Sequence, residues 1–236
     1  MTPIRSAVVT GASRGIGLAV ARGLVERGMR VVMIARDGDA LRAAAQPLGA
    51  AALPMSCDMG DTRALDGVTE RIGVELGDAP DVIVNNAGFF KLATADTTDP
   101  QDFADAIGVN LIAPFRLVRA FLPAMRARTR GHIVSIGSIA DRVAFPENSG
   151  YVASKFGLRG LHEVLRVELV GSGVRTTLIS PGQVNTALWD EVNPDERPGF
   201  VSRSAMLAPE AVATTVLFAV TQPADVNIDE IRLSRA

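Results

Sequence analysis

The chain has 236 residues and a formal net charge of −2, and 47% of its residues are apolar against 21% charged, which favours a full hydrophobic core over disorder. The balanced charge, without a long basic run, argues against a nucleic-acid partner, and a single cysteine, Cys57, rules out an internal disulfide. Met1–Ser6 lacks the organisation of a signal peptide and no stretch approaches the roughly 18 apolar residues of a membrane span, so we expect a soluble, cytoplasmic protein.

Short β-branched runs alternate with longer helical patterns along the chain. Most of the predicted strands are continuous apolar runs, the pattern of strands that are covered on both faces. Such strands alternating with helices predict right-handed crossovers and an α/β doubly wound fold, a parallel sheet with helices on both faces. The predicted strands are residues 4–10, 30–35, 51–56, 81–85, 132–136, 174–180 and 227–233. The predicted helices are 16–27, 39–48, 62–76, 101–128 (one or two helices, interrupted by Pro114 and Pro123), 149–170 and 208–220.

The chain contains no Gly/Ser linker, internal repeat or low-complexity tract, so residues 1–236 are expected to form a single domain. The one long irregular stretch, residues 181–207, contains Pro194 and Pro198 and mixes charged with aromatic side chains. A loop of this length in a compact domain is usually functional. We therefore expect a short substrate lid within residues 183–207 that orders when a ligand arrives.

The first predicted strand runs into a glycine-rich turn, Thr10-Gly11-Ala12-Ser13-Arg14-Gly15-Ile16-Gly17, and a helix follows. Glycines at a strand-to-helix turn let a phosphate approach the backbone closely, and the helix N-terminus then faces the anion. The spacing differs from the commoner G-x-G-x-x-G, and no Gly-Lys-Ser/Thr follows as it does in a P-loop. The pattern indicates nucleotide binding, and its alternative is a tight turn whose glycines serve packing.

The end of the second predicted strand bears on the choice of cofactor. An acid is expected there when the cofactor is NAD, because a carboxylate contacts the adenine ribose. This chain has Ala35 followed by Arg36, which suits a 2′-phosphate, and Arg14 in the glycine turn is a second candidate cation. NADP(H) is therefore the preferred cofactor. Asp37 keeps NAD(H) as a less favoured option, and both arginines can also be read as solvated surface residues.

Asn85-Asn86-Ala87-Gly88 closes the fourth predicted strand. Asparagine amides in this position can tie loops together, and Gly88 leaves space for a flat ligand. The signal is weak by itself, because Asn and Gly also simply form turns.

The strongest constellation is Ser138, Tyr151 and Lys155. Ser138 lies just past the fifth predicted strand, at the sheet edge where open α/β sheets bind ligands. Tyr151 and Lys155 are four residues apart on a predicted helix and so share one face. A phenol has a pKa of about 10, and a cation one turn away should favour the phenolate and lower that pKa. These groups suit proton transfer to a carbonyl while hydride arrives from a nicotinamide.

The two histidines, His132 and His162, join no cluster with the spacing of metal ligands, so no metal site is predicted. Both are interpreted as structural, and Cys57 as a buried thiol.

Together these residues resemble the short-chain dehydrogenases/reductases in their compact single-domain form. The resemblance covers nearly the whole chain and includes the separation of thirteen residues between Ser138 and Tyr151. It implies a Rossmann fold with a seven-stranded parallel sheet in the order 3-2-1-4-5-6-7. The motifs that carry it are Thr10–Gly17, Asp58, Asn85–Gly88, Asn110, Ser138, Tyr151, Lys155 and Pro181-Gly182.

The same resemblance implies a role for each site residue. Tyr151 would be the general acid/base, and Ser138 would position and polarise the substrate oxygen. Lys155 would bind the nicotinamide ribose and lower the tyrosine pKa, and Asn110 would hold a water in a proton relay through Lys155. Further cofactor contacts are expected from Gly11, Ser13, Arg14, Gly15, Ile16, Gly17, Arg36, Asp58, Met59, Asn86, Ala87, Gly88, Tyr151, Pro181, Gly182, Val184 and Thr186.

The expected reaction is hydride transfer between NADP(H) and a carbonyl or secondary alcohol, with a mainly apolar substrate. The substrate pocket is expected to involve Ser138, Tyr151, Phe89, Phe90, Ala140, Phe145, Gln183, Leu188 and Trp189. One alternative is a catalytically silent NADP-binding sensor or scaffold, although all four catalytic positions are filled. A sugar epimerase or dehydratase would need a larger C-terminal substrate domain. The resemblance also implies a homotetramer or homodimer formed through residues 110–128 and 149–170.

Overall fold

The computed structural model describes residues 4–236, so the first three residues of the predicted N-terminal segment lie outside the described part. Strands and helices alternate from the first described element to the last. The strands are β1 (Ser6–Thr10), β2 (Arg30–Ala35), β3 (Ala52–Ser56), β4 (Val82–Asn85), β5 (Gly131–Ile136), β6 (Val174–Pro181) and β7 (Glu230–Leu233). The α-helices are α1 (Gly15–Val25), α2 (Gly38–Ala45), α3 (Thr62–Leu76), α4 (Pro100–Ile107), α5 (Ala113–Ala127), α6 (Ser149–Glu168) and α7 (Pro209–Val220).

The seven strands form one parallel sheet in the order β3-β2-β1-β4-β5-β6-β7, which confirms the predicted doubly wound fold. The order reverses between β1 and β4, where Val8 pairs with Val32 on one side and with Ile83 on the other. Ligands bind at such a switch point, outside the carboxyl ends of the strands. The glycine turn after β1 and the Asn85–Gly88 segment after β4 therefore emerge side by side.

Both faces of the sheet are covered, which explains why the strands read as continuous apolar runs. On one face Val9, Val31 and Val84 join a core completed by α1 and α7. On the other face Val8, Val32 and Ile83 join a core completed by α3 and α5. Successive residues along each of these strands therefore pack into the cores on opposite faces of the sheet.

The helix predicted over residues 101–128 differs from expectation, because neither proline interrupts it. The segment runs from Pro100 to Ala127 as α4, a π-helical turn at Gly108–Ile112 and α5. Proline has no N–H to donate to the carbonyl four residues earlier, which for Pro114 is the carbonyl of Asn110. The π-helical turn at that point widens the backbone, so the chain continues without a break.

Within residues 4–236, this run, Pro100–Ala127, is long and apolar enough by length and composition to cross a membrane, contrary to the expectation that no stretch qualifies. Several of its apolar side chains have partners in the fold: Leu117, Val118, Phe121 and Met125 are buried in the core that α5 shares with α3 and the sheet. Phe103, Ile112 and Phe115 on the same run are exposed. Packing within the fold therefore accounts for part of the apolar composition of this run.

Several elements are shorter than predicted, and two of these differences have a visible structural cause. Strand β7 begins at Glu230 rather than at Asn227, because the Asn227 side chain takes the place of a backbone partner. Its Oδ1 accepts from the Thr176 N–H at 2.9 Å, and its Nδ2 donates to the Thr176 carbonyl at 3.2 Å. Helix α2 ends at Ala45, and a 3₁₀ turn at Gln46–Ala51 that contains Pro47 replaces its predicted last turn.

Candidate active site

A cavity of about 1040 Å³ opens along the carboxyl ends of the strands, at the switch point of the sheet. It extends from the glycine turn after β1, past the ends of β4 and β5, to the segment after β6. Of the site residues predicted from sequence, all except Gly17 and Asn110 line this cavity. The structure therefore brings the glycine turn and the Ser138, Tyr151 and Lys155 group to one continuous space.

Hydrogen bonds from the residues that follow β4 fix the backbone of the glycine turn. Asn86 Nδ2 donates to the Thr10 carbonyl at 2.8 Å, and the backbone N–H groups of Asn86 and Ala87 both donate to Thr10 Oγ1 at 2.9 Å. Gly11 has a φ of +66°, and a Cβ there would lie 2.9 Å from Ala87 Cα. Hydrogen bonds thus join the glycine turn to the segment Asn85–Gly88. This segment, which is weak evidence for function in the sequence alone, fixes the conformation of the turn.

Gly17 serves packing rather than ligand contact. A Cβ at this position would lie 2.2 Å from the Gly11 carbonyl oxygen, so only glycine lets α1 approach the turn this closely. Helix α1 begins without a side-chain cap, since Arg14 at the N-cap position makes no capping hydrogen bond. The N–H groups of its first turn are therefore left to face the cavity.

The charged residues after β2 separate into two roles. Asp37 is the N-cap of α2, and its Oδ1 accepts from the N–H groups of Asp39 and Ala40 at 3.0 Å. Its carboxylate is therefore directed at its own helix. Arg36 is exposed at the cavity edge, and within the described chain its side chain makes no ion pair, nor does that of Arg14 across the cavity.

Ser138 sits at the end of β5 as the N-cap of a short 3₁₀ turn, Ile139–Asp141. Its Oγ accepts from the Ala140 N–H at 3.1 Å, so the hydroxyl proton remains available to donate. Asp141 is fully buried, and its carboxylate accepts from the Ser138 N–H at 3.4 Å. The two residues form a capping box that fixes the backbone of Ser138.

Tyr151 and Lys155 lie one turn apart on α6, as predicted. Lys155 is 4% exposed, its Nζ donates to the Ile136 carbonyl at 2.8 Å, and the same nitrogen lies 5.6 Å from the centre of the Tyr151 ring. The Ile136 carbonyl belongs to the end of β5, two residues before Ser138. One helix and one strand end therefore hold the three groups together.

Burial determines the proton affinities of this pair. It raises the pKa of Tyr151, a hydrogen bond with the Ser138 side chain opposes the rise, and the Asp141 carboxylate adds to it. Burial lowers the pKa of Lys155 to about 8, while Asp141 favours its ammonium form. The net pKa of Tyr151 is raised, because the cost of burying a phenolate is the largest effect on it. The lowering contribution expected from Lys155 stays a prediction. The protein thus holds Tyr151 as a neutral acid.

Asn110 lies in the π-helical turn and outside the cavity lining. Its Nδ2 donates to the Phe89 carbonyl and to Ser154 Oγ, both at 2.9 Å, and its Oδ1 accepts from the Phe89 N–H at 2.7 Å. The side chain is fully occupied in clamping the segment after β4 to α6. Its own backbone carbonyl is the group that Pro114 leaves without the usual helical donor.

The segment predicted as a lid, residues 183–207, contributes to the cavity lining and contains three short 3₁₀ turns. Edge-to-face contacts connect its aromatic rings, through Phe90, to Tyr151. The Phe90 ring lies 4.9 Å from Tyr151 and 5.2 Å from Trp189, and Trp189 lies 6.4 Å from Phe200. We refer to Tyr151, Phe90, Trp189 and Phe200 as the aromatic ladder.

Polar contacts hold the base of the lid. Arg203 pairs with Asp190 at 2.6 Å, and its Nη1 donates to Asn185 Oδ1 at 3.2 Å. Arg197 lies 4.7 Å above the Phe200 ring and pairs with Glu147 at 2.5 Å. The lid is therefore tied both to itself and to the loop that precedes α6. Its ordering on ligand binding stays a prediction.

Several cavity residues were not anticipated from sequence. They include Cys57, Leu92, Val109, Ile139, Glu147, Asn148, Phe200, Val201 and Met206. Most carry no chemical signal of their own and are placed by the fold. The Asp37 cap could have been found, because Asp ahead of a helix start is a recognised N-terminal pattern.

Comparison with known proteins gives consistent results. A family model described as short chain dehydrogenase matches residues 5–197. Glycine betaine reductase ATRR of Emericella nidulans is 34% identical over 231 residues, which cover 95% of this chain but 18% of that protein, so the chain spans about a fifth of that relative. The 3-oxoacyl-acyl-carrier-protein reductase FabG of Escherichia coli is 32% identical over 84% of this chain and 80% of its own length.

A solved structure extends the likeness to three dimensions. The crystal structure of a metagenomic short-chain oxidoreductase in complex with NADP superposes with a TM-score of 0.84 at 36% identity, covering 98% of this chain and 97% of that one. The fold, the site and these matches define the class of protein. The chain belongs to the short-chain dehydrogenase/reductase family of oxidoreductases.

Proposed function

We propose that this protein transfers a hydride between NADP(H) and the carbonyl or secondary alcohol of a small molecule, with Tyr151 as the general acid/base. The observation that carries the proposal is the shared cavity: Ser138, Tyr151 and Lys155 line one part of it, and Arg14 and Arg36, which form no ion pair within residues 4–236, line another. Oxidation of NADPH in the presence of a panel of ketones tests it.

The residues around the glycine turn fit a dinucleotide cofactor. A Cβ at Gly11 would fill the space beside Ala87, and the uncapped first turn of α1 offers N–H donors to a pyrophosphate. Arg36 and Arg14 suit a ribose phosphate, since each presents a planar fork of donors. The NADP complex of the metagenomic relative supports the same assignment. When bound, the cofactor supplies the hydride.

The chain's own residues perform the proton chemistry of the proposed reaction. Ser138 donates a hydrogen bond from its hydroxyl to the substrate oxygen, which orients that oxygen without transferring the serine proton. Tyr151, held as a neutral phenol by burial, gives its proton to that oxygen during reduction and takes it back during oxidation. Lys155 would hold the ribose of the bound cofactor and, as an ammonium, would stabilise negative charge on the phenolate. The Asn110 side chain fixes the segment after β4 against α6, and its backbone carbonyl would hold the water of a proton relay through Lys155.

The lining of the cavity beside Tyr151 supports a neutral, mainly apolar substrate. Among the described residues that line the cavity, the cations are Arg14, Arg36 and Lys155, and none of these belongs to residues 183–207. Glu147, which also lines the cavity, pairs with Arg197. A phosphorylated or carboxylate substrate would therefore find no cation for its charge among the lining residues of 183–207. The apolar side chains of the lining include Phe90, Ala140, Phe145, Leu188, Trp189 and Phe200.

Trp189→Ala is expected to raise KM for a neutral aromatic ketone roughly 10- to 100-fold. The substitution removes the ring that connects Phe90 to Phe200 in the aromatic ladder, and the substrate loses a large apolar contact surface. KM for NADPH should change little, since the tryptophan lies on the substrate side. Steady-state kinetics with both substrates make the measurement. Trp189→Phe, which keeps an aromatic ring, is the matched control and should retain most of the affinity. An unchanged ketone KM in the alanine variant would remove Trp189 from the substrate pocket.

The alkaline pH dependence should follow Lys155. With a pKa of about 8, its side chain is an ammonium below that pH and neutral above it. The ratio kcat/KM for NADPH reports groups of the free enzyme, so it should fall as the pH rises through about 8. Lys91→Arg supplies a control, because this second lysine pairs with Asp102 on the surface and should leave the profile in place. A ratio that stays level across that pH range would contradict the role of Lys155.

The second candidate function is a catalytically silent NADP-binding sensor or scaffold. It differs from the first by tight cofactor binding without turnover on any ketone. The filled catalytic positions and the perturbed pKa values of Tyr151 and Lys155 favour the enzyme.

We further propose a soluble, cytoplasmic protein of one domain that assembles as a homotetramer or homodimer. Exposed apolar side chains on α5 and α6, among them Phe115, Phe156 and Val167, support an assembly through these helices.

A further inference from the structure

Asp141 is a fully buried carboxylate beside the catalytic group, and the proposed mechanism does not use it. It lies three residues after Ser138, outside the cavity lining, with none of its side chain exposed. Ser180 on β6 donates a hydrogen bond to its Oδ2, and the Ser138 N–H donates to the same oxygen at 3.4 Å. A Cβ on Gly137 would lie 2.6 Å from this oxygen, so only a glycine lets the carboxylate reach the end of β5.

Two arginines compensate the charge of Asp141 from the side away from the cavity. Arg142 Nε donates to Asp141 Oδ1 at 2.7 Å, and Arg159 Nη1 lies 3.8 Å from the same oxygen. Both arginines also pair with Glu230 at the start of β7. The cluster holds two acids and two bases, and Asp141 is its only member that is fully buried. It links the catalytic serine to α6 and to the last strand.

A neutral residue could cap this 3₁₀ turn without such compensation. Asn or Ser at position 141 would accept the same N–H bonds, and a buried carboxylate carries a desolvation cost that its partners must offset. What the carboxylate adds is a fixed negative charge. That charge opposes ionisation of the Tyr151 phenol and favours the ammonium of Lys155. Glu147, paired with Arg197, is an acid that lines the same cavity as Tyr151.

We propose that Asp141 is a positioning residue that fixes Ser138 through the capping box and, by its charge, holds the Tyr151–Lys155 pair as phenol and ammonium. That is the state from which a proton can be given to a carbonyl oxygen, so Asp141 sets the site for reduction. The inference rests on the proposed function for its consequence. Its physical content, a charge acting on Tyr151, can be measured without turnover.

The sequence makes a direct measurement possible, because Tyr151 is the only tyrosine of the chain. Ultraviolet titration of the cofactor-free protein therefore follows the phenolate of this one residue. Asp141→Asn keeps the shape and the capping hydrogen bond but removes the charge. The titration midpoint should move down by about one pH unit in this variant. Circular dichroism at each pH separates ionisation of the folded protein from alkaline unfolding.

Glu230→Gln is the matched control, since it removes one acid from the same cluster and disturbs the same two arginines. Its midpoint should equal that of the wild type. If Asp141→Asn does not fold, the double variant Asp141→Asn/Arg142→Gln removes one charge of each sign and should show a smaller displacement in the same direction, because the lost arginine charge opposes it. A midpoint in the folded variant equal to the wild-type value would overturn the proposal, as would an equal displacement in Glu230→Gln.

Kinetics supply the second readout. In Asp141→Asn, kcat for ketone reduction should fall by roughly tenfold or more, as expected when a hydrogen bond to a charged group is weakened, while KM for NADPH stays unchanged. The alkaline limb of the kcat profile should move to lower pH. If kcat falls but the alkaline limb of its pH profile does not move, Asp141 has only a structural role. A displaced ultraviolet midpoint in a protein that turns over no ketone would instead support the charge effect and contradict the proposed function.

Discussion

Tyr151→Phe is expected to lower kcat for ketone reduction by roughly 100- to 10,000-fold, the range that positioned proton transfer contributes. The substitution removes the hydroxyl and its proton but keeps the ring that packs against Phe90. The Kd of NADPH, measured by fluorescence titration, should therefore remain within a few-fold of the wild-type value. The loss should appear in kcat and in kcat/KM together, as for a group that acts in the transition state.

Lys155→Ala provides the contrast to this result. Lys155 is expected to hold the ribose as well as to assist the phenol, so both the Kd of NADPH and kcat should worsen. If Tyr151→Phe retained most of the wild-type kcat, the assignment of Tyr151 as acid/base would have to be abandoned.

Arg36→Leu is expected to lower kcat/KM for NADPH while leaving the value for NADH nearly unchanged. One charge-assisted hydrogen bond contributes about 1.5–3 kcal/mol, which corresponds to roughly 10- to 150-fold in this ratio. The geometry strengthens the expectation, because Asp37 turns its carboxylate to the N–H groups of α2 and does not compete for the ribose. The wild type should prefer NADPH.

Arg27→Leu is a suitable control for the cofactor experiment. Arg27 follows the far end of α1, where its Nη1 donates to the Gly23 carbonyl, and it should not affect the preference. Both ratios are measured with a single ketone at fixed pH and ionic strength. A wild-type preference for NADH, or an unchanged ratio in Arg36→Leu, would make Arg36 an ordinary surface arginine.

The sheet could be predicted from the sequence because its signals are local. Each strand is a short apolar run between helical patterns, and the motifs at Thr10–Gly17 and Asn85–Gly88 identify the strand ends around the switch point. Their cross-linking by Asn86 and Thr10 was not visible, since it joins segments about 75 residues apart. The motifs located the site, and the fold supplied the contacts between them.

The structure departs from the sequence-based expectation where tertiary packing overrides a local preference. Pro114 favours a break in the helix, yet a π-helical turn before it accommodates the missing N–H, and the helix continues past Pro114. For the pKa of Tyr151, the sequence points only to the neighbouring Lys155, whereas burial and the Asp141 carboxylate raise this pKa in the structure. Neither burial depth nor the position of Asp141 can be read from spacing along the chain.

For Asp37, the structure adds the direction of the side chain, which the sequence does not give. From sequence, this residue left NAD(H) open, because an acid near the end of the second strand can contact a ribose. In the structure it caps α2 instead, and Arg36 alone of the two is free to meet a phosphate. One side-chain direction therefore decides between two cofactors that the residues themselves leave open.

The central claim is that this protein is a reductase and not a silent NADP-binding protein. It is tested most directly by following NADPH consumption and alcohol formation with a panel of neutral aromatic and branched aliphatic ketones, in parallel for the wild type and Tyr151→Phe. We predict turnover of several ketones by the wild type, one alcohol formed per NADPH consumed, and near-complete loss in the variant. NADPH binding without turnover of any ketone, or turnover equal in both proteins, would contradict this account.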